Sequence, residues 1–195
     1  ALDSILPTDL FKGKSIIGCG QSTHGSLENF VLQAEVFKHL VRTEGCRTFV
    51  IEGNYSTILW INKYVHGTPM TKDEVMKKLV FWTWDTEEVW DLIEWVREYN
   101  ESVVVWNTIY FLGNDIQVVK DCATETFGFF TEYGGDYKDS AYLLLRPLME
   151  DSTGYYSSTA GNADSLLGND VERMIAWAEK MPHPVAEEAN AQFAL

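Results

Sequence analysis

The chain has 195 residues, 46% hydrophobic and 23% charged, a composition that sustains one full hydrophobic core and excludes a disordered tail. Its 29 acidic against 15 basic residues give a formal charge of −14, a field that repels nucleic-acid phosphates and anionic membrane surfaces. No apolar run approaches the ~20 residues of a transmembrane helix, so the expected partner is a small molecule, with neither nucleic acid nor membrane. Residues 1 to 15 also lack the basic start and apolar stretch of a signal peptide. Cys19, Cys46 and Cys122 fit neither a disulfide framework nor a zinc site, being odd in number and unrelated in spacing. A reducing, cytoplasmic setting is the simplest expectation. The aromatic share, 13%, exceeds what a core of this size demands and points to the walls of a pocket.

In chain order, Ser15-Ile16-Ile17-Gly18-Cys19-Gly20 is a short apolar run closed by glycines and predicts a buried strand. Phe30, Ala34, Phe37 and Val41 recur at helical spacing, and their helix is expected to end near Gly45. Thr48-Phe49-Val50-Ile51 is rich in strand formers. The resulting strand–loop–helix–strand unit makes the two strands parallel, with the first loop and Glu52 at one edge of the sheet. Helices are predicted over residues 56 to 65 and 71 to 80, the second capped by Thr71 and Glu74. Thr86 to Tyr99 predicts a further helix, with an apolar face of Val89, Leu92, Ile93 and Val96. Val103–Trp106 and Ile109–Leu112 are strand candidates.

After Gln117 the pattern turns helical, over residues 118 to 133, 140 to 150, 164 to 181 and 184 to 194. Gly134-Gly135 and a Ser-, Thr- and Gly-rich stretch at 152 to 162 join them. The fold class expected is therefore α/β: a parallel-type sheet flanked by helices over residues 1 to 117, and a helical cap or lid over 118 to 195.

For chemistry, the first candidate is Gly20-Gln21-Ser22-Thr23-His24-Gly25, a glycine-bounded loop at the expected carboxyl end of a strand, where open α/β sheets bind ligands. A lone loop histidine is more often structural or merely exposed. Position raises its standing, because Glu52 ends the next strand and a carboxylate beside an imidazole fixes its tautomer and raises its basicity. The Gly-x-Ser-x-Gly nucleophile elbow is absent, and Gly18, Gly20 and Gly25 lack dinucleotide-fingerprint spacing. His24, Glu52 and Asp115 at strand ends make a poor metal set without paired histidines or cysteines, so no metal or other cofactor is expected. His39, mid-helix, and His66, beside a Gly-Thr-Pro turn, read as structural or exposed, His183 has no chemical context, and Phe81-Trp82-Thr83-Trp84 reads as a buried turn or an apolar pocket wall.

Several segments together resemble the erythromycin esterase-like superfamily. They are Gly18-x-Gly20-x-x-Thr23-His24-Gly25, Phe37-x-His39-Leu40-Val41, Phe49-x-Ile51-Glu52-Gly53-Asn54 and Tyr64-Val65-x-Gly67. Phe81-Trp82-Thr83-Trp84-Asp85-Thr86-x-Glu88-Val89, Glu94-Trp95-x-Arg97-x-Tyr99-Asn100 and Phe111-x-Gly113-x-Asp115-x-Gln117 follow in the same order. The resemblance spans about residues 15 to 117. It implies a sheet flanked by helices with a helical part over a cleft, and hydrolysis of an ester, in the best-known members a macrolide lactone, without a metal. The family's water-activating histidine maps to His24 and its strand-end glutamate to Glu52.

The chain departs from the family at Gln21, where a glutamate is usual, and at Gln33, where a basic residue is expected. The family's later Trp-x-His-Asn segment has no match, so the chain is expected to be either a piece of a longer protein or a shortened relative. In the hydrolase reading, His24 is general base, Glu52 orients it, Gln21, Thr23, Gln33 and Asp115 position water or substrate, and Trp82 and Trp84 form the wall. Alternatives are a silent or repurposed relative that binds an apolar small molecule or natural-product intermediate, and a plain interaction domain. Trp60, Trp106, Tyr155, Tyr156 and Trp177 lie outside the shared motifs and are candidates for a wall particular to this protein.

Overall fold

Apolar residues at helical spacing build the frame of the first half. In a computed structural model, which describes residues 10–115, 118–150 and 172–181, helix α1 (Leu27–Thr43) buries Phe30, Ala34, Phe37, Leu40 and Val41 on one face. It ends where Gly45 takes a φ of +70°, a conformation that favours glycine. Strand β1 (Thr48–Asn54) follows and runs directly into α2 (Tyr55–Val65). Helix α3 (Lys72–Met76) begins with the reciprocal cap expected from its sequence: Thr71 Oγ1 accepts from the Glu74 amide at 3.3 Å, and the Glu74 carboxylate accepts from the Thr71 amide at 2.8 Å. Those contacts hold the Glu74 carboxyl below the usual carboxylate range.

A 3₁₀ turn at Lys77–Leu79 extends α3, and the chain then reverses at Val80, whose φ of 62° and ψ of −48° make a strained γ-turn closed by Phe81 N–H to the Leu79 carbonyl at 2.6 Å. That turn delivers the chain into a second 3₁₀ turn, Trp82–Trp84, and then α4 (Glu87–Ser102), whose Thr86 cap accepts from the Val89 amide at 3.3 Å. Strand β2 (Tyr110–Asp115) completes the first half.

Strands β1 and β2 form a two-stranded parallel sheet, with Thr48 opposite Tyr110 and Ile51 opposite Gly113. Parallel strands need a long crossover, and α2 to α4 supply it. The register slips after Ile51, bringing Asn54 opposite Asp115. At that slip a Cβ on Gly113 would stand 2.6 Å from the Gly53 carbonyl oxygen and 2.9 Å from Tyr55 Cα, so the closeness of the two backbones requires glycine there. Beneath the sheet, Ile58, Ile61, Val65, Val75, Leu79, Ile93, Val96 and Ile109 are essentially removed from water, and Phe49 packs edge-on against both Phe37 and Phe111.

The far edge of β2 is closed by side chains. Asn62 of α2 donates to the Phe111 carbonyl and accepts from the Phe111 amide, both at 2.7 Å. Asn100 of α4 does the same for Ile109, at 3.0 and 2.7 Å, and also donates to the Val65 carbonyl at 3.2 Å. Two asparagines thus satisfy the backbone groups that another strand would otherwise pair.

Two expected strands are absent. Residues 15 to 20 run without strand pairing, with Ile16 90% exposed. Two glycines in six positions weaken a strand and leave little side chain to bury. Val103–Trp106 becomes a connection with a 3₁₀ turn at Val105–Asn107, its Val105 and Trp106 largely exposed. With Asn100 fastened to Ile109, the intervening residues must reverse direction rather than extend.

By its packing the chain divides into Ala1–Asp115 and Ile116–Leu195. The second unit's described residues are helical. Helices α5 (Val119–Tyr133) and α6 (Lys138–Met149) meet through Phe130, Ala141, Leu145 and Leu148, joined by Met174 and Met181. Residues 172–178 are helical, the portion of the predicted 164 to 181 helix that is described. The predicted helix at 184 to 194 and the 152 to 162 stretch lie outside the described residues. The protein is thus mixed α/β, a parallel sheet flanked by helices in its first unit and helical in its second.

Candidate functional site

The Thr-His-Gly loop sits directly before α1 and is tied to it: Asn29, in the first turn, donates to the Thr23 carbonyl at 3.3 Å. Ser26 occupies the helix N-cap, and its hydroxyl donates to the Glu28 carboxylate at 2.9 Å. The Glu28 backbone amide and that hydroxyl hold the Glu28 carboxyl below the usual range. Gly25 takes a φ of +74°, and a Cβ there would stand 3.1 Å from Cζ3 of Trp82. Glycine therefore serves two needs at once, the left-handed backbone and the close approach of the aromatic turn.

His24 is exposed and Gln21 half-buried beside it, with Gln21 Nε2 2.6 Å from His24 Nδ1. The contact ties the ring to the side chain three residues before it, and which group donates follows the imidazole tautomer. Thr23 points its hydroxyl toward the His24 carbonyl at 3.5 Å. Glu52 extends from the solvent face of β1, while its carbonyl accepts from the Trp84 indole N–H at 2.7 Å. The Trp84 ring packs 5.5 Å from that of Phe30 on α1. Through Trp82 and Trp84, the Thr-His-Gly loop, the start of α1 and the end of β1 meet at one place. No hydrogen bond or ion pair joins His24 to Glu52.

Asp115 ends β2 opposite Asn54, on the same carboxyl edge as Glu52. Gln33 lies deeper: with Glu88, Trp84, Phe49 and apolar neighbours it borders a cavity of about 20 Å³ inside the first unit. That is room for one water, so this cavity is not where a lactone would bind. Trp82 is 72% exposed and Trp84 is 8% exposed, so of the pair only Trp82 offers a face to a ligand.

Trp60 is held between the ammonium groups of Lys63 and Lys78, 4.0 and 4.3 Å from its ring, and Trp177 stacks on Tyr137 in the second unit. Trp106 is exposed away from these contacts. Tyr155 and Tyr156 lie outside the described residues, as does Gln117. None of the three cysteines forms a disulfide, and partial desolvation pushes the Cys19 thiol up. Among the described residues no group of three His, Cys, Asp or Glu side chains gathers to hold a metal ion, and no helix is long and apolar enough to cross a membrane.

Sequence reasoning missed Asn29, which anchors the loop, and did not place Glu88, named in a shared segment, beside Gln33 at the cavity. Asn29 follows the loop within one helical turn, a spacing that does suggest a tie to it. Glu88 belongs to the shared Phe81–Val89 segment and to the first turn of α4, but neither pointed to its place beside Gln33.

The family model for erythromycin esterase matches residues 41–193, which begins after the Thr-His-Gly loop. The chain is 26% identical over 112 residues to a protein of Bacillus subtilis (strain 168) named putative hydrolase YbfO, covering 57% of this chain and 24% of that one. A crystal structure of a Bacillus cereus protein superposes with a TM-score of 0.67 at 21% identity, over 90% of this chain and 44% of the other. A crystal structure of a succinoglycan biosynthesis protein gives 0.60 at 23% identity, over 68% of this chain and 33% of its own. The chain thus spans a quarter to under half the length of these relatives, and the two crystal structures share its fold.

Proposed function

Since the chain belongs to the erythromycin esterase family, we propose that it supplies part of a hydrolase site for an ester or lactone of an apolar small molecule. In this reading His24 takes a proton from water as it attacks the carbonyl, and returns that proton to the departing alkoxide. A positioned base of this kind contributes typically ~10²–10⁴-fold. Glu52 orients the imidazole, Gln21, Thr23, Gln33 and Asp115 position water or substrate, and Trp82, backed by the buried Trp84, offers the apolar wall. His24 and Glu52 are not hydrogen-bonded in the free protein, so their contact is one that substrate would draw together.

The observation that carries this reading is the junction of loop and strand: Gly25 against Trp82, and Trp84 donating to the Glu52 carbonyl. It supports a shared location for histidine, carboxylate and aromatic face, which acyl hydrolysis needs. A second reading, a silent relative that binds such a molecule without cleaving it, is favoured by Gln21, which offers His24 an amide where a carboxylate would raise its basicity.

The test is hydrolysis of aryl esters and a macrolide lactone by the purified protein and by His24→Asn. The expected result is cleavage whose kcat/KM falls about a hundredfold or more in the variant, with an unchanged melting temperature because His24 is exposed. No cleavage by the unsubstituted protein, or full activity in His24→Asn, overturns the hydrolase.

A further inference from the structure

The two edges of the sheet are finished differently. Tyr110 N–H donates to the Arg47 carbonyl at 2.9 Å, and Thr48 stands opposite Tyr110. That parity turns the backbone groups of Phe49 and Ile51 toward β2 and those of Thr48, Val50 and Glu52 toward the outer edge of β1. On this edge the Thr48 carbonyl accepts from Cys46 Sγ at 3.6 Å, and the Glu52 carbonyl from the Trp84 indole at 2.7 Å. Between them Val50 is 52% exposed, and neither its N–H nor its carbonyl is paired among the described residues. The far edge of β2, by contrast, is closed by Asn62 and Asn100. A parallel sheet left open on one edge is a template for one more strand.

We propose that residues 15–20 close onto this edge as a third strand, parallel to β1. The segment leads through the Thr-His-Gly loop into α1, whose Phe37 packs on Phe49 of β1. A strand–helix–strand connection of this kind sets neighbouring strands parallel. The segment carries no charge and runs without strand pairing, with Ile16 90% exposed, so docking supplies the backbone partners it lacks. A second copy, at a formal charge of −14, is repelled from the same edge, whereas a segment tethered by α1 is held at high local concentration. With the Thr48 and Glu52 carbonyls already taken, the open edge centres on Val50 and suits a short strand. The few hydrogen bonds gained, about fivefold each, stand against the cost of ordering the segment, so the strap opens and closes. Its consequence for catalysis rests on the reading of His24 and Glu52 as a working pair. Docking brings the start of the Thr-His-Gly loop to the carboxyl edge that carries Glu52, and so governs whether histidine and carboxylate meet.

Amide hydrogen exchange of the intact chain, followed residue by residue by NMR, tests this in the unsubstituted protein and in a variant carrying both Ile16→Pro and Ile17→Pro. Successive residues of a strand turn their amides to opposite edges, so one of the two prolines removes the donor that would face β1. Exchange at Val50 slows in proportion to the time the strap spends closed, about threefold for a strap closed roughly two-thirds of the time. The expected result is a Val50 amide that exchanges about threefold or more slowly in the unsubstituted protein than in the variant. Ile51, committed to β2, should be equally protected in both, which shows that the sheet itself is intact. Equal exchange at Val50 in the two proteins overturns the proposal: if fast, the edge is empty, and if slow, another occupant such as a second copy holds it. The readout needs no ester, so a failure of ester cleavage counts against the proposed hydrolase and not against the strap.

Discussion

Asn100 joins three elements with one side chain, and removing it should be among the costliest single changes in the first unit. Its amide completes the last carbonyl of α2 at Val65 and both backbone groups of Ile109, the residue just before β2, over 3.2, 3.0 and 2.7 Å. Asn100 is 8% exposed and Ile109 fully buried, so water has poor access to any of the three groups. Asn100→Ala leaves an amide and two carbonyls without that partner. A buried orphaned group costs about 1–3 kcal/mol, and with partial relaxation the sum comes to about 4 kcal/mol, a large share of the ~5–15 kcal/mol that stabilises a typical domain. Asn100→Asp separates the donor from the acceptor contribution: the carboxylate still accepts from Ile109 N–H but faces two carbonyls that it repels. Such a carboxyl is more readily protonated in the folded than in the unfolded state, so the folded state binds more protons and stability falls as pH rises through that window. The deficit of Asn100→Asp relative to the unsubstituted protein should therefore be as large as that of Asn100→Ala at pH 7 and shrink below about pH 4. Urea unfolding followed by circular dichroism at both pH values measures this. A cost under 1 kcal/mol for Asn100→Ala, or an Asn100→Asp deficit that does not shrink in acid, would refute the account of the edge.

Gly113→Ala should lower stability by about 1–3 kcal/mol, because the added methyl meets backbone atoms of Gly53, Asn54 and Tyr55 rather than a side chain that can swing away; a melting temperature unchanged within a degree or so would show that the strands separate freely. Tyr64 donates its hydroxyl to the Glu94 carboxylate beneath the Arg97 guanidinium, 4.3 Å above its ring, and burial, followed by that bond, pushes the hydroxyl up to about 12 from its ordinary 10. Its contribution is thus fully present below pH 10 and lost as pH rises toward 12, so alkaline unfolding should be less steep over that range in Tyr64→Phe, and identical slopes in the two proteins would dismiss the contact.

The positions of helices were legible because a helix is specified by its own residues. The stripe Phe30, Ala34, Phe37 and Val41, the Thr71–Glu74 cap and the Thr86 start each became the element they predicted, since capping and periodic burial are local. Strand content was less legible. Ile109–Leu112 and Ile16–Cys19 read alike as short apolar runs, yet only the first is a strand. What distinguishes them is the partner: Ile109 and Phe111 are received by asparagines from two helices and by β1, whereas residues 15 to 20 meet no such edge. In the candidate site, the motifs named His24, Gln21 and Glu52 but not their relations.

The sequence by itself determined the helices, the glycine-bounded histidine loop and the acidic character, all of which follow from side-chain chemistry within a few residues. Tertiary structure decided where the sheet stops, which tryptophan faces solvent, and that His24 contacts Gln21 rather than Glu52. Those outcomes depend on hydrogen-bond donors and acceptors brought together from distant parts of the chain, such as Asn62 with Phe111 and Trp84 with Glu52. Backbone groups must find partners wherever the packing allows, and that packing is a property of the assembled unit rather than of any one segment.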